Sequence, residues 1–156
     1  LEVSILRRKE KEITDAREIE SIIRKSQVCR LGLVDEGLPY IVPLCFGYRN
    51  NTLYFHSAVE GRKIEILKRN QQVCFEFDID TQIHDGETAC DWGMNYCSVI
   101  GYGTAAFIDD AAEKQEALDI IMRQYADGEF GYSEKTLKKT RVIKVEISSM
   151  AGKKSG

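Results

Sequence analysis

GYRNNTLYFHSAVEGRKIEILKRN, residues Gly47 to Asn70, decides how the chain folds. Arg49-Asn50-Asn51 reads as a hairpin turn, and Thr52 to Ser57 as a short aromatic strand ending on the pair His56-Ser57. Gly61-Arg62-Lys63 then opens a helix, expected from near Glu60 to a stop at Asn70. The first N–H groups of a helix lack intrahelical partners and sit at the positive end of its dipole, so they attract anions. Arg62 can add a bidentate fork to a phosphate, and Lys63 a point charge. Two readings stay open from these residues alone: a phosphate clamp for a cofactor, or a strand–loop–helix connection with solvated cations.

Upstream, Asp15 caps a short helix whose Ile19, Ile22 and Ile23 share one face, with Glu18 placed for a capping box. Val28 to Val34 is a strand, and Asp35-Glu36-Gly37 turns into the β-rich run Leu38 to Tyr48. Pro43 within that run has no N–H to give a sheet. It marks an edge, a bulge, or a place where a ligand replaces a strand partner. Downstream, Val73 to Asp80 alternates apolar and acidic residues as a half-exposed strand does. Thr81 to Asp91 reads as a polar loop carrying a solvated His84 and leading to Trp92, the single tryptophan. Trp92 either lids a ring system or packs the loop down. Tyr96 to Ile108 is a long strand, and Gly101 and Gly103 within it mark a bulge or a barrel corner.

Asp109 or Asp110 caps a helix through about Ala126, with Ala117, Leu118, Ile121, Met122 and Tyr125 on its apolar face. A Lys-rich segment with room for one helical turn precedes the last strand, Arg141 to Ile147. Residues 1–12 and 152–156 are expected to be loose. The whole reads as one α+β domain, mainly β, with about six strands joined mostly by antiparallel turns into a small barrel.

The composition of the 156 residues, 43% hydrophobic and 30% charged, is that of a soluble globular protein. A net charge of −3 argues against a nucleic-acid footprint. No apolar run reaches the roughly 18 residues of a membrane span, and Leu1 to Glu12 lacks a signal peptide's apolar core. A start at Leu1 is expected of a chain without its initiating Met or a leader. Five cysteines without a C-x-x-C pair, and only two histidines, give no metal spacing. Reduced thiols in the cytoplasm are the expectation.

Read in order, R-L-G-L, P-Y-I-V-P-L, L-Y-F-H-S-A, E-G-R-K, V-C-F-E and S-V-I-G-Y-G-T-A make the chain resemble the flavin-binding split-barrel superfamily of pyridoxamine 5′-phosphate oxidase. Within it the resemblance is closest to the Nim-type 5-nitroimidazole-resistance branch. It runs from about residue 7 to residue 154 and includes the terminal M-A-G-K-K-S. The resemblance implies a six-stranded antiparallel split β-barrel with flanking helices. It also implies a homodimer with FMN, or alternatively FAD, in clefts between the subunits.

In the oxidase branch a Ser-Arg-Lys step and a preceding Tyr-Thr hold the FMN phosphate; here the matching positions are Gly61-Arg62-Lys63 and His56-Ser57. The strand along the flavin ring corresponds to Val42, Pro43, Leu44 and Cys45. That strand lacks the oxidase's basic residues, and the chain has no C-terminal Trp and Arg pair, which argues against pyridoxamine oxidation. In the Nim branch the His of F-H-S is a functional residue near the cofactor, which makes His56 the candidate catalytic residue. A neutral His at a strand end can donate a hydrogen bond or move a proton near neutral pH. Tyr96 and Ser98 are expected to reach the cofactor from the neighbouring strand, and Trp92 to stack on the ring or on an FAD adenine.

The expected function is a flavin-dependent oxidoreductase acting on a small aromatic acceptor such as a nitroaromatic. The alternatives are a non-catalytic flavin- or haem-binding carrier or sensor, and a structural dimer with an empty cleft. No nicotinamide-dinucleotide fingerprint identifies the electron donor.

Overall fold

A computed structural model of the chain describes residues 6–156. Its strands are β1 (Glu12–Ile13), β2 (Cys29–Asp35), β3 (Leu38–Leu44), β4 (Gly47–Arg49), β5 (Thr52–Ala58), β6 (Gln72–His84), β7 (Gly93–Ile108) and β8 (Thr140–Ser155). The helices are α1 (Ala16–Lys25), α2 (Arg62–Arg69), α3 (Ala111–Tyr125) and α4 (Glu134–Lys139). Asp15, Asp110 and Ser133 cap α1, α3 and α4 through their side chains. The Asp15 carboxylate accepts from the Arg17 N–H at 2.9 Å, in place of the reciprocal box expected with Glu18.

All strands join one antiparallel sheet in the order β3-β2-β6-β7-β8-β5-β4, with β1 added to β8. Two tight turns set its hairpins. Glu36 and Gly37 have φ of 50° and 86°, and Asn50 and Asn51 have 49° and 58°. Paired left-handed residues give a turn whose twist matches that of the flanking strands.

The two edges of the sheet, β3 and β4, are separated in sequence only by Cys45 and Phe46. A sheet whose edges are tied by so short a link has to curl back on itself. No ladder joins β3 to β4 among the described residues, so the result is a split barrel rather than a closed one. This also explains why the described residues form eight strands where six were expected. The run Leu38 to Tyr48 divides at the link, its halves lying on opposite edges, and the N-terminal arm supplies β1.

The inner face carries the main core: Leu31, Leu33, Phe55, Phe75, Phe77 and Val145 are all buried, and Ile19, Ile22 and Ile23 of α1 pack against them. Ile64, Ile66 and Leu67 of α2 complete that core. Fully burying each such side chain stabilises the fold by roughly 1.5–3 kcal/mol. A second cluster lies on the outer face, where Ala117, Leu118 and Ile121 of α3 cover Ile108 and Val142. α3 crosses β4 so closely that a Cβ on Gly47 would stand 2.7 Å from the Ile120 carbonyl carbon.

Three expectations change. The C-terminal tail is not frayed: β8 runs to Ser155, which pairs with Tyr96, and Lys153 and Gly152 pair with Glu12 and Ile13 of the arm. Lys11 Nζ donates to Ser155 Oγ at 2.8 Å. Hence Lys11 and Glu12 of the arm expected to be loose are tied down as well, while residues 1–5 lie outside the described residues. The polar segment Thr81–His84 is strand, not loop, because a bulge between Ile79 and Gln82 lets pairing with β7 resume beyond it. Polar composition misled there since both faces of that arm are exposed. The glycine pair in β7 does mark a bulge, between Tyr102 and Gly103, and Pro43 lies on an edge strand, where its missing N–H breaks no central ladder.

Candidate functional site

α2 begins at Gly61, which has φ 139° and makes no side-chain cap. Apart from its chain neighbours, no heavy atom of the described residues lies within 4 Å of where a Cβ on Gly61 would stand, so there is open space beside the cap of α2. Lys63, in the first turn, is partly buried and has no ion-pair partner among the described residues. Desolvation holds its pKa below the ordinary lysine value. Arg62 is more engaged. Its guanidinium lies 4.4 Å from the centre of the Tyr40 ring, and Nη2 is 3.8 Å from Asp35 Oδ2. Asp35 is held more tightly by Arg69, at 2.6 Å, which leaves Arg62 the looser of the two.

Successive side chains of a strand point to opposite faces, and this separates the His56-Ser57 pair. Ser57 shares the inner face with Phe55 and pairs with Arg141; His56 shares the outer face with Val142, its partner in the α3-covered cluster. His56 is exposed. Val42 and Leu44 pack inward against the core, whereas Pro43 faces outward on a row with Arg30, Glu76 and Ile100. Cys45 is exposed in the link between the two sheet edges.

Tyr96 and Ser98 stand on the outer face too, in a cavity of about 480 Å³ shared with Arg7, Arg8, Glu76 and Lys153. Lys153 Nζ is 5.5 Å from the centre of the Tyr96 ring. Glu76 has its pKa raised by burial and then by the nearby Asp78 carboxylate, against the pull of Arg30. Trp92 is 56% exposed in the connection between β6 and β7, so within one chain it does not pack that connection down.

One chain therefore splits the expected site into two groups. Ser57, Gly61, Arg62 and Lys63 gather where β5 leads into α2, while Tyr96, Ser98 and Pro43 face outward across β7, β6 and β3. Between the outward residues and the sheet edge lies a second, apolar cavity of about 530 Å³, lined by Gly32, Val34, Pro39, Ile41, Cys74 and Tyr102.

Arg141 is the residue that sequence reading passed over. It opens β8 opposite Ser57 on the inner face, and its guanidinium lies 4.1 Å from the centre of the Phe107 ring. Nη1 meets Asp109 at 3.2 Å, but Nε is buried with no hydrogen-bond partner among the described residues. The available signal was a cation in the alternating series Arg141, Ile143, Val145 and Ile147, which is otherwise apolar.

The chain belongs to the pyridoxamine 5′-phosphate oxidase family, with residues 15–154 matched. Among solved structures it is similar to a candidate 5-nitroimidazole antibiotic resistance protein from Bacteroides thetaiotaomicron. That likeness has 43% identity and a TM-score of 0.83 over 91% of this chain and 85% of the other. The flavocytochrome Anf3 of Azotobacter vinelandii shares the fold at 21% identity, with a TM-score of 0.86 over 97% of this chain and 72% of that one. So does an FAD- and haem-binding protein of Mycobacterium smegmatis, at 18% identity and a TM-score of 0.84, over 93% and 73%. The comparison with curated proteins gives no match.

Proposed function

We propose that the protein is a flavin-dependent oxidoreductase that reduces small nitroaromatic compounds such as 5-nitroimidazoles. It works as a homodimer with FMN, or FAD, at the subunit interface. The observation that carries this reading is the start of α2. An open glycine cap and a partly buried lysine with no counter-ion among the described residues suit the phosphate of a flavin. The 43% identity to the candidate resistance protein supports the choice of acceptor.

Lys63 and the first N–H groups of α2 would hold the phosphate, and Arg62 would swing from Asp35 to join them. Ser57 would add a hydroxyl. Pro43 and its neighbours on the free edge of β3 would lie along the ring. When bound, a flavin supplies the electron transfer, from an external donor to the nitro group. The residues of this chain bind it, orient it and exclude water around it.

A dimer is supported by the outer face. Val34, Ile41 and Tyr102 are 42%, 67% and 44% exposed there, on a face continuous with Tyr96 and Ser98. An apolar patch of that kind marks an interaction surface. A second copy seated on it would bring the outward group of one chain to the α2 start of the other. One observation favours the carrier reading instead: His56, the candidate catalytic residue, lies on the face of β5 opposite Ser57, away from the α2 start within one chain.

The test is the visible spectrum of the purified protein, followed by anaerobic mixing of the reduced protein with a 5-nitroimidazole. Flavin bands that return on mixing are expected. A flavin that stays reduced leaves the carrier reading standing, and a colourless protein removes both.

A further inference from the structure

Lys63 and Leu67 lie one turn apart on the same face of α2. Leu67 and Phe107 line one cavity of about 220 Å³ at the barrel end that α2 closes. Arg141 stacks on Phe107, and across β5 and β8 it is the direct partner of Ser57. Arg141 thus flanks the end of β5, from which three residues lead into α2. The one carboxylate that Arg141 meets among the described residues, Asp109, is 76% exposed and takes only Nη1. An arginine Nε that is buried and unpaired forfeits roughly 1–3 kcal/mol of hydrogen bonding, so native structures rarely leave one without a ligand or water to use it.

We propose that Arg141 is a third cation of the anion site at the start of α2, and that it takes the terminal phosphate monoester of the bound flavin. The inference rests on the reading of that site given above. It adds a residue from a different strand, 78 positions beyond Lys63 in the sequence. Nε and one terminal nitrogen of a guanidinium form a fork that matches two phosphate oxygens, which a lysine in the same place could not do. Asp109 then acts as a positioning group that fixes the guanidinium plane from the opposite side, through Nη1.

The test compares FMN with riboflavin, which differ only by the phosphate, by titrating each into the flavin-depleted full chain and following flavin fluorescence. Arg141→Gln is expected to weaken FMN binding by at least about tenfold, the loss of one charge-assisted contact, and to leave riboflavin binding within about twofold. Lys63→Gln should behave in the same way. If Arg141→Gln changes both ligands equally, or neither, Arg141 is only structural and the proposal falls while the Lys63 result still judges the α2 site. If Lys63→Gln also leaves the FMN preference intact, the α2 site itself is misplaced. Should Arg141→Gln fail to fold, the wild-type chain decides. FMN, but not riboflavin, should protect Arg141 from an arginine-specific dicarbonyl reagent, as read by peptide mass spectrometry. Arg141 labelled equally with and without FMN overturns the assignment.

Discussion

Tyr125 Oη accepts a hydrogen bond from the Phe46 N–H at 2.9 Å, across 79 residues, and donates to the Gln27 carbonyl at 2.8 Å. Phe46 lies in the link between the two edges of the sheet, so the last turn of α3 holds the seam of the split barrel. Its neighbour Gln124 donates to the carbonyls of Arg24 and Ser26, both at 2.9 Å, and so ties the end of α1 to the same corner. Burial and the nearby Cys45 lift the Tyr125 phenol to about 12, although its bond to Phe46 pulls the other way. Tyr125→Phe should cost about 1–3 kcal/mol, because it strands the Phe46 N–H inside the seam. Urea unfolding monitored by circular dichroism measures this, and an unchanged midpoint would show that water replaces the hydroxyl.

Gly47 has ordinary backbone angles, so its constraint is steric. A methyl there would press on the backbone of α3 at Ile120 and Ile121, each contact 2.7 Å. Helix backbone cannot yield as a side-chain tip can. Gly47→Ala should destabilise by about 1–3 kcal/mol, the range of overpacked sites, and Gly61→Ala, facing open space, should be limited to the strain of its φ. Thermal melts of both variants check the contrast, and equal losses would mean that α3 slides freely on β4.

Glu76 allows a pH test whose sign follows from its raised pKa. Below the usual carboxylate range it is protonated whether folded or unfolded, so it carries no penalty. As pH climbs through that range and beyond, ionisation costs more in the folded protein than in the unfolded chain, and stability falls. Glu76→Gln stays neutral throughout. It should raise the melting temperature near pH 7 and give almost no gain near pH 4, even though Arg30 loses its weaker contact, at 3.4 Å, while keeping Asp78 at 3.1 Å. A gain that is largest in acid would refute this account.

Replacing Arg62 and Lys63 together by Ala should weaken flavin binding by a few kcal/mol, about 1.5–3 for each charge-assisted contact. The structure adds an asymmetry. Lys63→Ala also removes a partly buried charge with no ion-pair partner among the described residues, so it should not lower the stability of the flavin-free protein. Arg62→Ala gives up the Tyr40 and Asp35 contacts and should lower it slightly. Flavin affinity and melting temperature, measured on each single variant, separate these effects.

Tyr102→Lys should disrupt the proposed dimer by placing an unpaired charge in the centre of its apolar patch. Light scattering after gel filtration should then report a monomer, and flavin content should drop with it. A variant that remains dimeric and flavin-loaded would move the interface elsewhere.

Local chemistry was legible in the chain itself. The start of α2, its two cations, the left-handed Asn50-Asn51 turn and the bulge at Gly101 to Gly103 each depend on residues within a few positions of one another. Even the family is written that way, as an ordered series of short blocks. Pairing between distant segments is different, because no local pattern encodes it. Pro43 left an edge as one of three readings, but the sequence could not show that the opposite edge strand begins after only two intervening residues, nor that the tail would find the N-terminal arm. Strand alternation, a property of the folded sheet, put His56 and Ser57 on opposite faces although they are adjacent in sequence. A helix does begin at Gly61-Arg62-Lys63, as those residues predicted. Only the packing of β8 against β5 set Arg141 opposite Ser57, since 84 residues of chain must fold before the two can meet.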